Sequence, residues 1–127
     1  MSWQQYVDQH LIATGKVSKA AIHGLDGNPW ATSAGFTVAP AEAAALARAF
    51  GDPQPLYQTG IVLNGVKYMF LRATDRSLLG RKGGDAGCIV VKTNQALLIG
   101  VYEGGLQGGD CNNVVEKLAD YLASVGY

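Results

Sequence analysis

The side chains most often used in catalysis are few in this sequence, and their spacing matches no known catalytic or metal-binding arrangement. His10 and His23 lie far from Cys88 and Cys111, so no histidine and cysteine share the spacing of a metal site. The segment GRKGG at residues 80–84 lacks the strand-to-helix context of a phosphate-binding loop. No serine, histidine and aspartate follow the order of a hydrolase triad. We therefore expect no enzymatic activity, no metal and no cofactor.

Aromatic side chains stand near both ends of the sequence. Trp3 and Tyr6 are three residues apart in a polar stretch, and Tyr127 is the last residue. Aromatic rings are costly to leave in water, and chain ends usually fray. The rings alone are compatible with two roles, because they can pack a terminal helix against the sheet or bind a partner.

The charges sum to zero but are unevenly distributed. Ten Lys and Arg residues balance ten Asp and Glu residues, so net charge gives no steering towards nucleic acid. Residues 67–92 hold six cationic and two acidic side chains, whereas residues 93–127 hold one lysine and four acidic side chains. This division indicates a basic face, although Lys and Arg that protect exposed strands produce the same pattern.

Length and composition predict one folded domain over residues 1–127. The chain is 48% hydrophobic and 16% charged, which suffices for a core and argues against disorder. No apolar run approaches the roughly 18 residues of a membrane span. Because no basic segment precedes an apolar leader, we expect a cytoplasmic protein whose two cysteines are reduced and buried.

Hydrophobic periodicity and turn residues predict an α+β fold with an antiparallel sheet. We expect helices at residues 3–13, 39–50 and 111–124, the last capped by Asp110. Two hairpins are predicted, one around Asp26-Gly27-Asn28-Pro29 and one around Asn64-Gly65. Residues 52–60 are interpreted as a loop or a short helical turn, and the remaining strands are expected at residues 76–82, 87–93 and 95–102.

The last helix is predicted to be amphipathic. Its apolar stripe contains Cys111, Val114, Leu118, Leu122 and Val125. Tyr121 lies at the edge of this stripe, next to Lys117.

Four segments of the sequence together resemble the profilins, a family of small actin-monomer-binding proteins. They are MSWQQYVDQHL followed by TG, GLDGNPWATSAGF, DRSLLGRKG, and NNVVEKLADYL followed by GY. The resemblance runs from residue 2 to residue 127 with the spacing between segments preserved. The pattern is most similar to the short profilins of lower eukaryotes and plants.

The resemblance implies a central antiparallel sheet, with the N- and C-terminal helices packed together on one face and shorter helices on the other. It also implies an aromatic cluster that binds proline-rich segments, such as those of formins. A polyproline II helix has no internal hydrogen bonds, so aromatic faces and hydroxyl donors suit it. The residues carried over to this role are Trp3, Tyr6, Trp30, Tyr121 and Tyr127.

A second implied site binds monomeric actin through the later strands and the last helix. The residues carried over are Lys67, Phe70, Arg72, Arg81, Lys82, Asn113 and Lys117. Basic residues of the family also bind polyphosphoinositides, for which Arg72, Arg76, Arg81 and Lys82 are the candidates. A monomer in the cytoplasm, at the actin cytoskeleton and cell cortex, is implied.

One alternative reading is a small α+β sensing or signalling domain that binds an anionic ligand on its basic face. Such a domain would place its aromatic rings inside a pocket rather than at both chain ends. Retention on immobilised polyproline distinguishes a profilin-like binding protein from such a sensing domain.

Overall fold

Residues 2–127, which the computed structural model describes, contain seven strands in one antiparallel sheet. The spatial order is β2-β1-β7-β6-β5-β4-β3, so β1 and β7 are neighbours although they lie at opposite ends of the sequence. The strands are β1 Lys19–Gly24, β2 Pro29–Thr32, β3 Ile61–Leu63, β4 Val66–Ala73, β5 Ser77–Lys82, β6 Ala86–Lys92 and β7 Ala96–Tyr102.

The first helix begins after Ser2 and changes geometry along its length. It is α-helical at Trp3–Gln5, π-helical at Tyr6–Leu11 and 3-10 at Ile12–Thr14, and we refer to the three segments together as the first helix. Ser2 caps it reciprocally: its hydroxyl accepts from the Gln5 amide at 3.1 Å, and its own amide donates to the Gln5 side chain. Gly15 ends the helix with a φ of 75°.

Helices cover both faces of the sheet, as the resemblance to profilins implied. The first helix and α4 (Gly108–Ser124) lie on one face, where Leu11, Ile22 and Leu98 are fully buried. Helices α2 (Pro40–Ala49) and α3 (Leu56–Thr59) lie on the other, around Leu46 and Leu97. Alternate residues of each strand point to opposite faces, so β7 is buried on both of them.

Both predicted hairpins are present. Asn64 and Gly65 have φ values of 52° and 75°, the positive pair that a two-residue type I′ turn requires. Gly27, with a φ of 97°, sits under α2, where an added Cβ would lie 2.4 Å from the Pro40 carbonyl oxygen. Glu42 joins the second hairpin to α2, because its carboxylate accepts from the Asn64 and Gly65 amides at 2.9 Å.

The last helix differs from its predicted bounds and stripe. It begins at Gly108 rather than after Asp110, and the Cys111 amide donates to the Gln107 carbonyl oxygen at 3.1 Å. Gly108 packs against the Tyr102 ring, where a Cβ would approach to 2.9 Å. Val125 is half exposed and follows the helix, so it does not extend the apolar stripe. The helix instead buries Val115, with Cys111, Leu118, Ala119 and Leu122.

Cys88 and Cys111 are buried free thiols, as predicted. Burial raises the pKa of the Cys88 thiol above its usual range and that of Cys111 to about 12. Both therefore remain protonated and unreactive as nucleophiles at neutral pH. Within residues 2–127, no helix has the length and apolar character needed to cross a membrane.

Candidate functional site

Five aromatic side chains from three separate segments converge beside the first helix. Trp3 lies at the centre, with its ring 4.6 Å from Trp30, 4.9 Å from Tyr127 and 5.6 Å from Tyr6, measured between centroids. Tyr6 in turn lies 6.1 Å from Tyr121 of α4. We call Trp3, Tyr6, Trp30, Tyr121 and Tyr127 the aromatic cluster. The structure thus brings together all five residues that the resemblance implied.

Hydrogen bonds to backbone carbonyl oxygens hold the aromatic cluster in place. The Gln4 side chain donates to the Thr32 carbonyl oxygen at 2.8 Å and so links the first helix to β2. The Tyr127 carbonyl oxygen accepts from the Gln95 amide and from the Thr93 hydroxyl, both at 2.6 Å. Tyr127 is therefore fixed to the β6–β7 turn and is not a frayed end.

The cluster is open to solvent and carries hydroxyl donors. Tyr121 and Tyr127 are 51% and 39% exposed, and the other three rings are half-buried. A hydrogen bond with the Tyr121 side chain raises the pKa of Tyr6, so this phenol stays protonated at neutral pH. The surface therefore offers flat apolar faces and O–H and indole N–H donors, which suit a ligand with rings and unpaired carbonyl groups.

The basic residues of β4 and β5 form a second exposed surface. Along β4, Lys67, Met69 and Arg72 are exposed, whereas Tyr68 and Phe70 point into the core. Arg81 of β5 lies opposite Met69. We call Lys67, Met69, Leu71, Arg72, Arg81 and Lys82 the basic face.

Phe70 does not belong to this surface. It is 5% exposed and packs edge-on against Tyr57, 4.8 Å away between centroids. The alternation of β4 explains this position and places Met69 outward instead. The same alternation turns Leu71 outward, and the register shift between Phe70 and Arg72 leaves Arg72 exposed as well. Met69 and Leu71, 60% and 44% exposed, were not singled out from the sequence, although strict alternation along β4 would have indicated both.

The guanidinium of Arg76 forms ion pairs with two carboxylates of α4. Its guanidinium donates to Glu116 Oε2 at 2.6 and 3.1 Å and lies 2.8 Å from Asp120 Oδ1. The Ser77 hydroxyl donates to the other oxygen of Glu116 at 2.5 Å. Arg76 therefore presents no free cation, and we remove it from the candidates for phosphate binding.

Lys117 and Asn113 do not share the side of α4 that contacts the strands through Glu116. Glu116 faces Arg76 and Ser77, whereas Lys117 lines a groove beside the first helix together with Tyr6 and Tyr121. Asn113 is exposed. Lys117 thus lies next to Tyr121 of the aromatic cluster, as the spacing along the last helix predicted.

A profilin family model matches residues 1–127. The chain belongs to the profilin family. Profilin-1A of Acanthamoeba castellanii is 56% identical to it and Profilin-P of Physarum polycephalum 46%, each over 127 residues and 100% of both chains. The crystal structure of Acanthamoeba castellanii profilin II has a TM-score of 0.95 at 56% identity, covering 99% of this chain and 100% of that one.

A more distant structure shares the fold. Mouse profilin IIa, solved in complex with a double repeat from the FH1 domain of mDia1, has a TM-score of 0.83 at 22% identity, with 100% of both chains covered. Membership of the profilin family makes this chain a binding protein that acts on the actin cytoskeleton and not an enzyme.

Proposed function

We propose that this profilin binds proline-rich segments through the aromatic cluster and actin monomers through the basic face, as an adaptor in the cytoplasm. The observation that carries the first part is the convergence of five partly exposed rings from three segments. A few such rings would suffice to attach a helix to a sheet. Tyr121 and Tyr127 contribute little to the core at their exposure, which favours a binding role.

The chemistry of the cluster fits a polyproline II helix. Such a helix is preformed and loses little entropy on binding, while its carbonyl groups remain unpaired. Proline rings can pack on Trp3 and Trp30, and the Tyr121 hydroxyl, which accepts from Tyr6, can donate to a peptide carbonyl. The mouse relative solved with an FH1 repeat supports formin-type segments as the partner class.

The basic face supports the actin proposal by its combination of charge and apolar area. Lys67, Arg72 and Arg81 surround the exposed side chains of Met69 and Leu71. An interface of this kind can bury an apolar centre while its charged rim steers an acidic partner. The resemblance to the profilins adds Asn113 and Lys117 of α4 to the proposed actin site. We further propose that the protein acts as a monomer at the actin cytoskeleton and cell cortex.

Phosphoinositide binding is a subsidiary proposal with its own observation. Lys67, Arg81 and Lys82 line a cavity of about 380 Å³ beside Tyr57. Three cations around one cavity suit a phosphorylated head group, and Arg72 lies on the same face. Vesicles of neutral lipid with and without phosphoinositide, incubated with the protein, test this binding.

Paired titrations of two variants test the two main sites together. Tyr6→Ala should weaken binding of a proline decamer at least about tenfold, since it removes a ring and a hydroxyl donor. Arg72→Glu should weaken binding of labelled monomeric actin, because like charges at an interface cost several kcal/mol. Each variant should leave the other ligand's affinity within about twofold.

Fluorescence of Trp3 and Trp30, which are the only tryptophans, reports proline binding. Arg48→Glu, an exposed charge reversal on α2, is the matched control for Arg72→Glu, and melting curves verify folding. A folded Tyr6→Ala protein with full decamer affinity would exclude the aromatic cluster as the proline site. Full actin affinity in folded Arg72→Glu would exclude the basic face.

A further inference from the structure

Tyr57 is an exposed tyrosine that lies apart from the aromatic cluster. It is 61% exposed on the single turn of α3, and its ring packs edge-on against Phe70, 4.8 Å away between centroids. Among residues 2–127, none of the side-chain hydrogen bonds around α3 uses the Tyr57 hydroxyl. The ring therefore has a packing role, whereas the hydroxyl is free to react.

Three cations line the same cavity as Tyr57. This is the cavity of about 380 Å³ on the basic face, and its cations are Lys67, Arg81 and Lys82. Lys67 runs along α3, where its Nζ donates to the Gln58 carbonyl oxygen at 3.5 Å. None of the nine lining residues is acidic. Within residues 2–127, the three cations form none of the ion pairs found, so no carboxylate neutralises the wall beside Tyr57.

A phosphate on the Tyr57 hydroxyl would supply the negative charge that this wall lacks. Phosphorylation adds a charge of about −1.5 to −2 at pH 7 and three strong acceptor oxygens. Ammonium and guanidinium groups donate short, strong hydrogen bonds to such oxygens. Because the basic face carries four cations, Lys67, Arg72, Arg81 and Lys82, one phosphate would cancel about half of its positive charge.

The segment that carries Tyr57 can open without disturbing the sheet. The backbone amides of residues 56–60 donate to carbonyl groups of residues 53–56, so these hydrogen bonds stay within the segment. Leu56 anchors α3 as its buried residue. Local opening of such a segment costs much less than unfolding of the whole domain. Tyr57 can therefore enter the active site of a modifying enzyme while the strands stay paired.

We propose that Tyr57 is a phosphorylation site for a protein tyrosine kinase, and that its phosphate binds the three cations of the cavity and blocks the basic face. In the reaction the phenol oxygen attacks the γ-phosphorus of ATP, the bond from that phosphorus to the β–γ bridging oxygen breaks, and ADP leaves. The phenol proton passes to the catalytic carboxylate of the kinase. The proposal rests on the proposed function of the basic face, because the phosphate competes with actin and phosphoinositide from within the molecule.

Labelling by a kinase tests the site. The protein and Tyr57→Phe are each incubated with ATP and the catalytic domain of a broad-specificity tyrosine kinase, and mass spectrometry locates the phosphate. Tyr57 should be labelled more completely than Tyr121 and Tyr127, whose exposed rings pack in the aromatic cluster. Tyr57→Phe should lose this label and stay folded, since it keeps the ring that packs on Phe70. Absence of phosphate from Tyr57 in the folded protein overturns the proposal.

Phosphorus-31 NMR tests whether the cations bind the phosphate. The phosphate should lose its second proton at a lower pH in the folded protein than in the same protein unfolded in urea, because nearby cations favour the dianion. Lys67→Met removes one cation and should move the titration towards that of the unfolded protein. Lys92→Met, at the far end of β6, is the matched control and should leave the titration unchanged. Identical titrations in the folded and unfolded protein overturn the proposal.

Binding measurements test the effect on the basic face. Phosphorylation of Tyr57 should weaken binding of labelled monomeric actin about tenfold or more, while a proline decamer binds within about twofold of its original affinity. Binding to phosphoinositide vesicles should weaken as well. Failure of the unmodified protein to bind actin overturns the proposed function of the basic face. Full actin affinity after phosphorylation of Tyr57, in a protein that binds actin when unmodified, overturns only this inference.

Discussion

The contact of Arg76 with Glu116 should be a measurable source of stability, unlike most ion pairs on a protein surface. Arg76 donates two hydrogen bonds to one oxygen of Glu116, and Ser77 donates to the other. The two charged side chains are only about one-third exposed, 34% and 32%. Hydrogen bonds to charged groups contribute about 1.5–3 kcal/mol, and exposed ion pairs about 0.2–1 kcal/mol. The contribution of this partly screened network to the free energy of unfolding should lie between these ranges, at about 1–2 kcal/mol.

A double-mutant cycle measures this coupling. Arg76→Met keeps most of the aliphatic length, and Glu116→Gln keeps an acceptor for Ser77. Each single variant should lower the melting temperature by about 3–8 °C for a domain of this size. Urea unfolding of the two single variants and the double variant should give a coupling free energy of about 1 kcal/mol, reduced in 1 M salt.

The Lys16–Asp110 pair supplies an internal control. Its charged atoms are 3.8 Å apart, and the two side chains are 53% and 49% exposed. The same cycle with Lys16→Met and Asp110→Asn should give at most about 0.5 kcal/mol. If the coupling of Arg76 with Glu116 is no larger than that of the control pair, the reasoning from burial and geometry is wrong. Arg76 would then return to the candidates for phosphate binding.

Two further predictions concern the core. His23 is fully buried and donates from Nδ1 to the Gly27 carbonyl at 2.9 Å, and burial lowers its pKa. Below about pH 6.5 the imidazole is protonated in the unfolded chain, whereas in the native state it stays neutral to lower pH. The free energy of unfolding should therefore fall as the pH drops from about 6.5 to 5, and urea unfolding measures this change. His23→Phe should flatten this dependence, and a stability that stays constant in the original protein would contradict the reasoning. Gly100→Ala should destabilise the fold by about 1–3 kcal/mol, because its Cβ would lie 2.6 Å from Val115 beneath α4. Gly84→Ala, which has open space, is the control, and equal melting temperatures for the two would refute this packing argument.

Local sequence signals predicted those parts of the fold that short-range chemistry determines. Asn64-Gly65 specified a turn because few residues adopt positive φ at both positions. The bounds of the first helix also follow short-range chemistry, since Ser2 caps its start and Gly15 its end. No local signal indicated the π-helical stretch from Tyr6 to Leu11, since its residues fit an ordinary helix equally well.

Features that depend on distant partners were predicted less well. α4 begins at Gly108, ahead of its predicted start, where the absence of a Cβ leaves room for the ring of the distant Tyr102. Arg76 appeared to be a free cation until the fold brought Glu116 to it from forty residues away. The aromatic cluster was anticipated from the family resemblance, since no local pattern connects Trp3 to Tyr127. Phe70 was misplaced because the resemblance was applied by position, without regard to the alternation along β4.

The pairing of β1 with β7 has a consequence for folding kinetics. Lys19 pairs with Val101, and the cluster joins Trp3 to Tyr127, so sheet closure and site assembly both need contacts between residues more than eighty positions apart. Contacts of such high sequence separation form late, after the loop-closure entropy has been overcome. A partly folded chain with β3 to β6 in place would still lack the aromatic cluster proposed to bind proline. Retention on a proline matrix should therefore select molecules whose two ends have met, and separate them from intermediates with near-complete strand content.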